Sequence, residues 1–113
     1  MATHRLVVFT EPTAGMEDEY NRWYDEVHLG DVIGVEGFVA AQRFRLSDAQ
    51  IGGDGAEAPA RYLAIYEIEA DDLEGALAKL NAGAGTMEMS AALDTERAQA
   101  FAYSAIGERQ LPR

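Results

Sequence analysis

The apolar positions of this chain switch between strand-like and helical spacing four times, and each switch marks a boundary between elements. "THRLVVFTE" at 3–11 is rich in β-branched and aromatic residues and predicts a first strand, closed by Pro12. From Met16 the spacing becomes helical. Met16, Tyr20, Trp23, Tyr24 and Val27 fall at i, i+4, i+7, i+8 and i+11. Thr13 or Gly15 is placed to cap this helix, and Glu17, Asp18 and Glu19 suit the positive end of its dipole. The helix is expected to run to His28 or Leu29 and to stop at Gly30.

After the short connection "DVIGVEG", strict alternation returns in "FVAAQRFRL". It predicts a strand with Phe38, Ala40, Gln42, Phe44 and Leu46 on one face and Val39, Ala41, Arg43 and Arg45 on the other. "SDAQIGGDGAEAP" reads as a polar, glycine-rich loop. "RYLAIYEIE" is a third strand, with Tyr62, Ala64, Tyr66 and Ile68 on one face. "DDLEGALAKLNAG" is a helix with Asp71 or Asp72 as its cap, a stripe of Leu73, Leu77 and Leu80, and Gly83 at its end. "AGTMEMSAALDTER" fits a helical turn or a loop, and "AQAFAYSAIGER" predicts a fourth strand.

The order β-α-β-β-α-β is that of a ferredoxin-like α+β domain: an antiparallel sheet with both helices on one face. The 113 residues suit one domain spanning 1–113, and 48% hydrophobic content suffices for one core. The other sheet face carries apolar groups and is left uncovered by helices, which points to a partner surface. A second copy related by a two-fold axis is the simplest partner, so a homodimer is expected.

Charge narrows the function classes. Twenty acidic against nine basic residues give a net charge of −11. Nucleic acid and anionic membrane surfaces are disfavoured, because both require a basic patch. There is no cysteine, so disulfides, thiolate nucleophiles and thiolate metal sites are excluded. The longest apolar run near the start, Leu6 to Phe9, is too short for a signal segment or a membrane span, and a cytoplasmic location is expected. The two histidines, His4 and His28, form no HxH or HxxxH pair, so no metal site is expected. The glycines at 52, 53 and 55 form no dinucleotide fingerprint, and the serines lack a nucleophile-elbow context.

What chemistry remains gathers in "NRWYDEVHLGD", residues 21–31. Tyr24 and His28 share a helical face, Asp25 stands three residues before His28, and Asp31 three after. An imidazole oriented by a carboxylate beside a phenol can act as general acid or base. A helix-terminal histidine can equally cap carbonyls and meet the dipole, which favours its protonated form. Spacing alone leaves both readings open. Trp23 reads as core, whereas Tyr20 and Tyr24 bring hydroxyls that need partners when buried. Arg43 and Arg45 share a strand face, as an anion-binding pair or as partners of surface acids. Tyr62 and Tyr66 flank the small Ala64, which leaves room for a flat ligand or for ordinary cross-strand packing.

The run "YNRWYDEVHLGDVIGVEGFVAAQRF" resembles the signature of the EthD-like group of dimeric α+β barrels, "WY…HLPD…PGF…A.RF". Trp23, Tyr24, His28, Leu29, Asp31, Gly37, Phe38, Ala41, Arg43 and Phe44 occupy matching places, and "RYLAIYEIE" resembles the group's third strand. Gly30 and Glu36 stand where the group commonly has proline. The resemblance implies a homodimer whose two sheets close face to face into a barrel, with a pocket between sheet and helices in each subunit. It implies a cofactor-independent enzyme, of dehydratase, lyase or isomerase type, acting on a small aromatic, polyketide-like or lactone compound. His28 and Asp31 would be catalytic, and Tyr20, Tyr24, Arg43 and Tyr66 would contact the substrate. The alternatives are a non-catalytic small-molecule-binding accessory dimer and a cofactor-independent monooxygenase; related barrels also include haem binders.

Overall fold

A computed structural model of the chain describes residues 2–53 and 57–113. Strands β1 (Thr3–Thr10), β2 (Phe38–Arg45), β3 (Tyr62–Glu69) and β4 (Gln99–Ser104) form an antiparallel sheet in the order β2-β3-β1-β4. The first helical stretch comprises α1 (Glu17–Trp23), a π-helical segment (Tyr24–His28) and α2 (Leu29–Ile33). The second, α3, spans Leu73–Ala84, and a 3₁₀ turn at Thr95–Arg97 precedes β4. This is the ferredoxin-like α+β arrangement expected from the element order. The polar loop before β3 contains residues 54–56, which lie outside the described residues.

The core lies between the helices and one sheet face. β3 alternates with a period of two, burying Tyr62, Ala64, Tyr66 and Ile68, while Leu63, Ile65 and Glu67 turn the other way. β1 contributes His4, Leu6 and Thr10 to the same buried face. Tyr20, Trp23, Tyr24 and Val32 close over them from the helical side. The opposite face bears Phe44, Phe101 and Tyr103, all exposed, around an Arg5–Glu67 ion pair at 3.3 Å.

Strand β2 departs from simple alternation. Phe38 pairs with Ile68 and Ala40 with Glu67, so Val39 is an extra residue in a β-bulge. The bulge moves Phe38 onto the helix face with Ala41, Arg43 and Arg45, whereas alternation had placed it with Ala40, Gln42 and Phe44. One extra residue inverts the facing of everything that follows it. Phe38 is buried as a result, and Arg43 still faces the helix.

The helix ends also differ from expectation. Gly30 does not stop the first helix. Its carbonyl accepts from the Gly34 amide at 3.1 Å, and the helix runs on to Ile33. Glycine lowers helix propensity without removing the donor or clashing, as proline would. The turn is made later, at Gly37, whose φ of +96° suits glycine. At the other end neither Thr13 nor Gly15 caps α1. Met16 is the N-cap residue, and the Thr13 hydroxyl donates instead to the Ala91 carbonyl at 2.7 Å. Asp72 does cap α3, accepting from the Gly75 amide at 2.9 Å, but that helix passes Gly83 and ends at Ala84. Pairing of β4 with β1 covers Gln99–Ser104, so Ala105–Arg109 do not extend the strand.

Candidate active site

The decisive local feature is the π-helical segment Tyr24–His28. Here the Leu29 amide donates to the Tyr24 carbonyl, five residues back. Such segments are rare and recur at functional sites. Widening the turn brings residues five apart into line. His28 therefore stacks on Trp23, with ring centroids 4.6 Å apart and planes 22° from parallel. Tyr24 meets the same imidazole edge-on at 5.2 Å. Trp23 is anchored in turn by its indole N–H, which donates to the Glu88 carbonyl at 2.8 Å. It is a core residue, as its spacing implied, and also the platform under His28.

His28 is consequently not a helix cap. The helix continues five residues beyond it, and its Nδ1 is buried without a hydrogen-bond partner among the described residues. Burial lowers its pKa below the ordinary histidine value, and the Asp31 carboxylate offsets part of that effect. From the sequence, the helix terminus and neighbouring acids favour the protonated form and burial the neutral one; in the structure the effect of burial is the larger. Asp31 acts on the imidazole through its charge, since no hydrogen bond joins the two among the described residues. Asp25 does not orient His28, because its carboxylate accepts from Arg43 Nη1 at 2.7 Å.

Arg43 reaches from β2 across the helix. Its second nitrogen, Nη2, donates to Asn21 Oδ1 at 2.7 Å. The guanidinium lies over the rings of Tyr24, Tyr20 and Tyr62, at 4.7, 5.3 and 5.5 Å from their centroids. Its side chain is 13% exposed. Arg45 does not complete an anion clamp with it. It lies further along the strand, beside a cleft of about 310 Å³ that Asn21, Asp25, Arg43 and Tyr62 also line.

The phenols differ in how well they are satisfied. Tyr20 shares a short hydrogen bond with Thr10, and Tyr62 donates to Glu17. Tyr66, 1% exposed, has a hydroxyl with no well-formed hydrogen bond. The Tyr24 hydroxyl is near enough to perturb its ionisation, yet the pair does not meet hydrogen-bond geometry. Burial raises the pKa of Tyr20, Tyr24 and Tyr66, so all three remain neutral phenols near pH 7.

The structure therefore brings together His28, Tyr24, Tyr66, Tyr20 and Arg43, with Asp31 one step outside. Sequence reasoning missed Thr10, the stacking role of Trp23 and the Asp25–Arg43 pair. Thr10 was accessible in principle, since even positions of β1 face the helices. The π-segment carried no sequence signal.

No protein-family model matches the chain, and no curated protein matches it. Solved structures do. An EthD-family protein from Bacillus halodurans superposes with a TM-score of 0.59 at 14% identity, covering 97% of this chain and 100% of that one. The chain shares the EthD-like fold. A Shewanella loihica protein, named provisionally as a monooxygenase, also gives a TM-score of 0.59 at 14% identity, over 96% and 99% of the two chains. HapK from Hahella chejuensis gives 0.53 at 16% identity, with both chains covered completely. At such identities the likeness is one of fold, and fold does not fix chemistry.

Proposed function

We propose that this EthD-like chain is a cofactor-independent enzyme that transfers a proton on a small aromatic, polyketide-like or lactone compound, in the manner of a dehydratase, lyase or isomerase. One observation carries the reading. The buried Nδ1 of His28 has no hydrogen-bond partner among the described residues, and burial holds the imidazole toward its neutral, basic form. Buried polar atoms are almost always paired, so an unpaired one in an aromatic site calls for a functional explanation. His28 is the acid/base, and Asp31 supports the imidazolium that forms on proton uptake. Tyr20, Tyr24, Tyr66 and Arg43 are the groups proposed to contact the substrate.

Two copies are proposed to pair through the helix-free sheet face. Exposed Phe44, Phe101 and Tyr103 support that surface. The second reading, a dimer that binds a small molecule without turnover, uses the same site but needs no proton transfer.

The test is hydrogen–deuterium exchange of carbon-bound protons, followed by NMR in D₂O. Aromatic ketones and unsaturated lactones serve as the panel. The parent protein is expected to catalyse exchange on at least one compound. His28→Ala should lower that rate by about 10²–10⁴, the usual contribution of general acid/base catalysis. A His28→Ala protein that stays folded and exchanges at the parent rate defeats the catalytic reading and leaves the binder.

A further inference from the structure

His4 and Ser104 are directly opposed residues of the antiparallel β1–β4 pair. His4 Nδ1 and Ser104 Oγ are 2.7 Å apart, and His4 Nε2 lies 3.0 Å from the Ala70 carbonyl oxygen. A carbonyl can only accept, so Nε2 carries the proton. In the neutral imidazole the lone pair of Nδ1 is left for the Ser104 hydroxyl, which donates to it. The result is a hydroxyl, a base within hydrogen-bond reach, and a third group that fixes the tautomer and orientation of the base. Those are the parts of an activated nucleophile.

Exposure is divided between the partners as such a pair requires. His4 is 7% exposed, whereas Ser104 is exposed on an edge strand. Both line a cleft of about 610 Å³ between the start of β1, the end of β3 and the segment after β4. The other two serines are placed differently. The Ser47 and Ser90 hydroxyls accept from the Ala49 and Ala92 amides, with no imidazole beside them among the described residues. Opposed residues of a strand pair share a face, so Ser104 lies with His4 on the helix side of the sheet. Pairing of two copies through the helix-free face leaves it open. Charge narrows what the cleft can take. Glu67, Glu69 and Glu108 outnumber Arg5 and Arg109 in its lining, which disfavours an anionic ligand. Arg5 is committed to Glu67 and to the His4 carbonyl, which leaves Arg109 to meet a developing oxyanion.

We infer that Ser104 is a nucleophile activated by His4, and that this cleft cleaves small uncharged carboxylic esters. Nothing in the inference depends on the acid/base reading of His28. Ser104 Oγ attacks the ester carbonyl carbon as its proton passes to His4 Nδ1. The carbonyl π pair moves onto oxygen, where Arg109 offsets the charge. That pair returns as the bond to the alcohol oxygen breaks, and the imidazolium gives its proton to the departing alkoxide. Water then attacks the acyl-serine by the same route, which releases the carboxylic acid and restores the hydroxyl. Ester and water become acid and alcohol, with no change of oxidation state.

The test uses p-nitrophenyl acetate as substrate and a fluorophosphonate as covalent label, located by peptide mass spectrometry. The parent should release p-nitrophenol faster than the same concentration of free imidazole, and should carry the phosphonate on Ser104 rather than on Ser47 or Ser90. Ser104→Ala should abolish both signals; the side chain is exposed, so the fold is kept. His4→Gln should slow both by about 10²–10⁴, the usual contribution of a general base. Should that variant not fold, Ser104→Cys and Ser47→Cys put the same question. The thiol at 104 should react with iodoacetamide about tenfold faster than the thiol at 47, because an adjacent imidazole raises its thiolate fraction. Release no faster than imidazole, a label absent from Ser104 or spread over all three serines, or equal thiol rates would each overturn the inference. So would release that survives Ser104→Ala and is lost in His28→Ala, since the esterolysis would then belong to the π-segment.

Discussion

The buried polar cluster at the end of β1 and the one around the π-segment are built on opposite rules. At the end of β1, Glu11 is 5% exposed and fully paired. It accepts from the Arg61 amide at 2.7 Å and from Arg61 Nε at 2.9 Å, with Arg97 a further 3.8 Å ion-pair partner. Around the π-segment, His28 Nδ1 and Tyr66 Oη are buried with no well-formed hydrogen bond among the described residues. A satisfied cluster stabilises the fold by holding the start of β3 and the turn before β4 against the end of β1. An unsatisfied one lowers stability and leaves groups free to meet a ligand. The contrast is a physical criterion for separating scaffold from site where identity to known proteins is low.

The largest expected effect falls on the scaffold side. Glu11→Ala strips the partner from a backbone amide and from Arg61 together. It should destabilise the protein by roughly 2 kcal/mol, given hydrogen bonds to a charged group and the desolvation left behind. Urea unfolding measures this as a drop in midpoint at constant slope. An unchanged midpoint would mean that the pairing at this corner is no better than a surface ion pair. Acid should act the same way. The raising effect of burial on Glu11 is outweighed by the Arg61 hydrogen bonds and charge, so its pKa ends lowered. The stability it supplies is complete above the unfolded carboxylate pKa, about 4.3, and fades as pH falls through the lowered folded value.

The second effect is smaller and opposite in sign. Tyr66→Phe removes a hydroxyl with no well-formed hydrogen bond among the described residues, so the folded state loses a poorly compensated desolvation cost. Thermal unfolding should show a gain of about 1 kcal/mol, or no loss. Tyr20→Phe is the matched control, because its hydroxyl is paired with Thr10 and its removal takes that hydrogen bond away. It should cost about 1 kcal/mol. If Tyr66→Phe were the more damaging of the two, Tyr66 would belong to the scaffold and the distinction between the clusters would collapse.

Much of this was legible in the sequence, and what was not has identifiable causes. Strand β1 announced itself by its β-branched and aromatic residues and β3 by uninterrupted alternation, which put Tyr66 on one face with Tyr62, Ala64 and Ile68. The β2 pattern misled at Phe38, because a bulge adds a residue without any compositional mark. Gly30 misled for a different reason. A glycine permits a helix end but does not impose one, and the packing of Val32 into the core holds the last turn. The His28 environment was the hardest to read. Its i+4 relation to Tyr24 was visible, but its stacking on Trp23 depends on an i+5 hydrogen bond that helical periodicity does not anticipate. The family resemblance singled out His28; the π-turn supplies the geometry that makes it chemically distinctive.

The smallest expected effect is the one that links the two clusters. His28 has a pKa lowered by burial, so its neutral form is favoured in the folded state. Between the folded value and about 6.5, the unfolded chain binds more protons than the folded one. Stability therefore rises with pH across that window: the contribution is complete above about 6.5 and is lost as pH falls toward and through the folded value. Glu11 titrates lower, so its loss follows on the acid side of this window. Replacing His28 with glutamine, which does not titrate, should flatten the upper part of the stability–pH curve and leave the Glu11 limb in place. The catalysed exchange should keep its basic form to a lower pH than free imidazole chemistry would. A stability curve for His28→Gln that overlays the parent across the whole window would show that the imidazole is not held neutral by burial, and the base would then have to be sought elsewhere in the site.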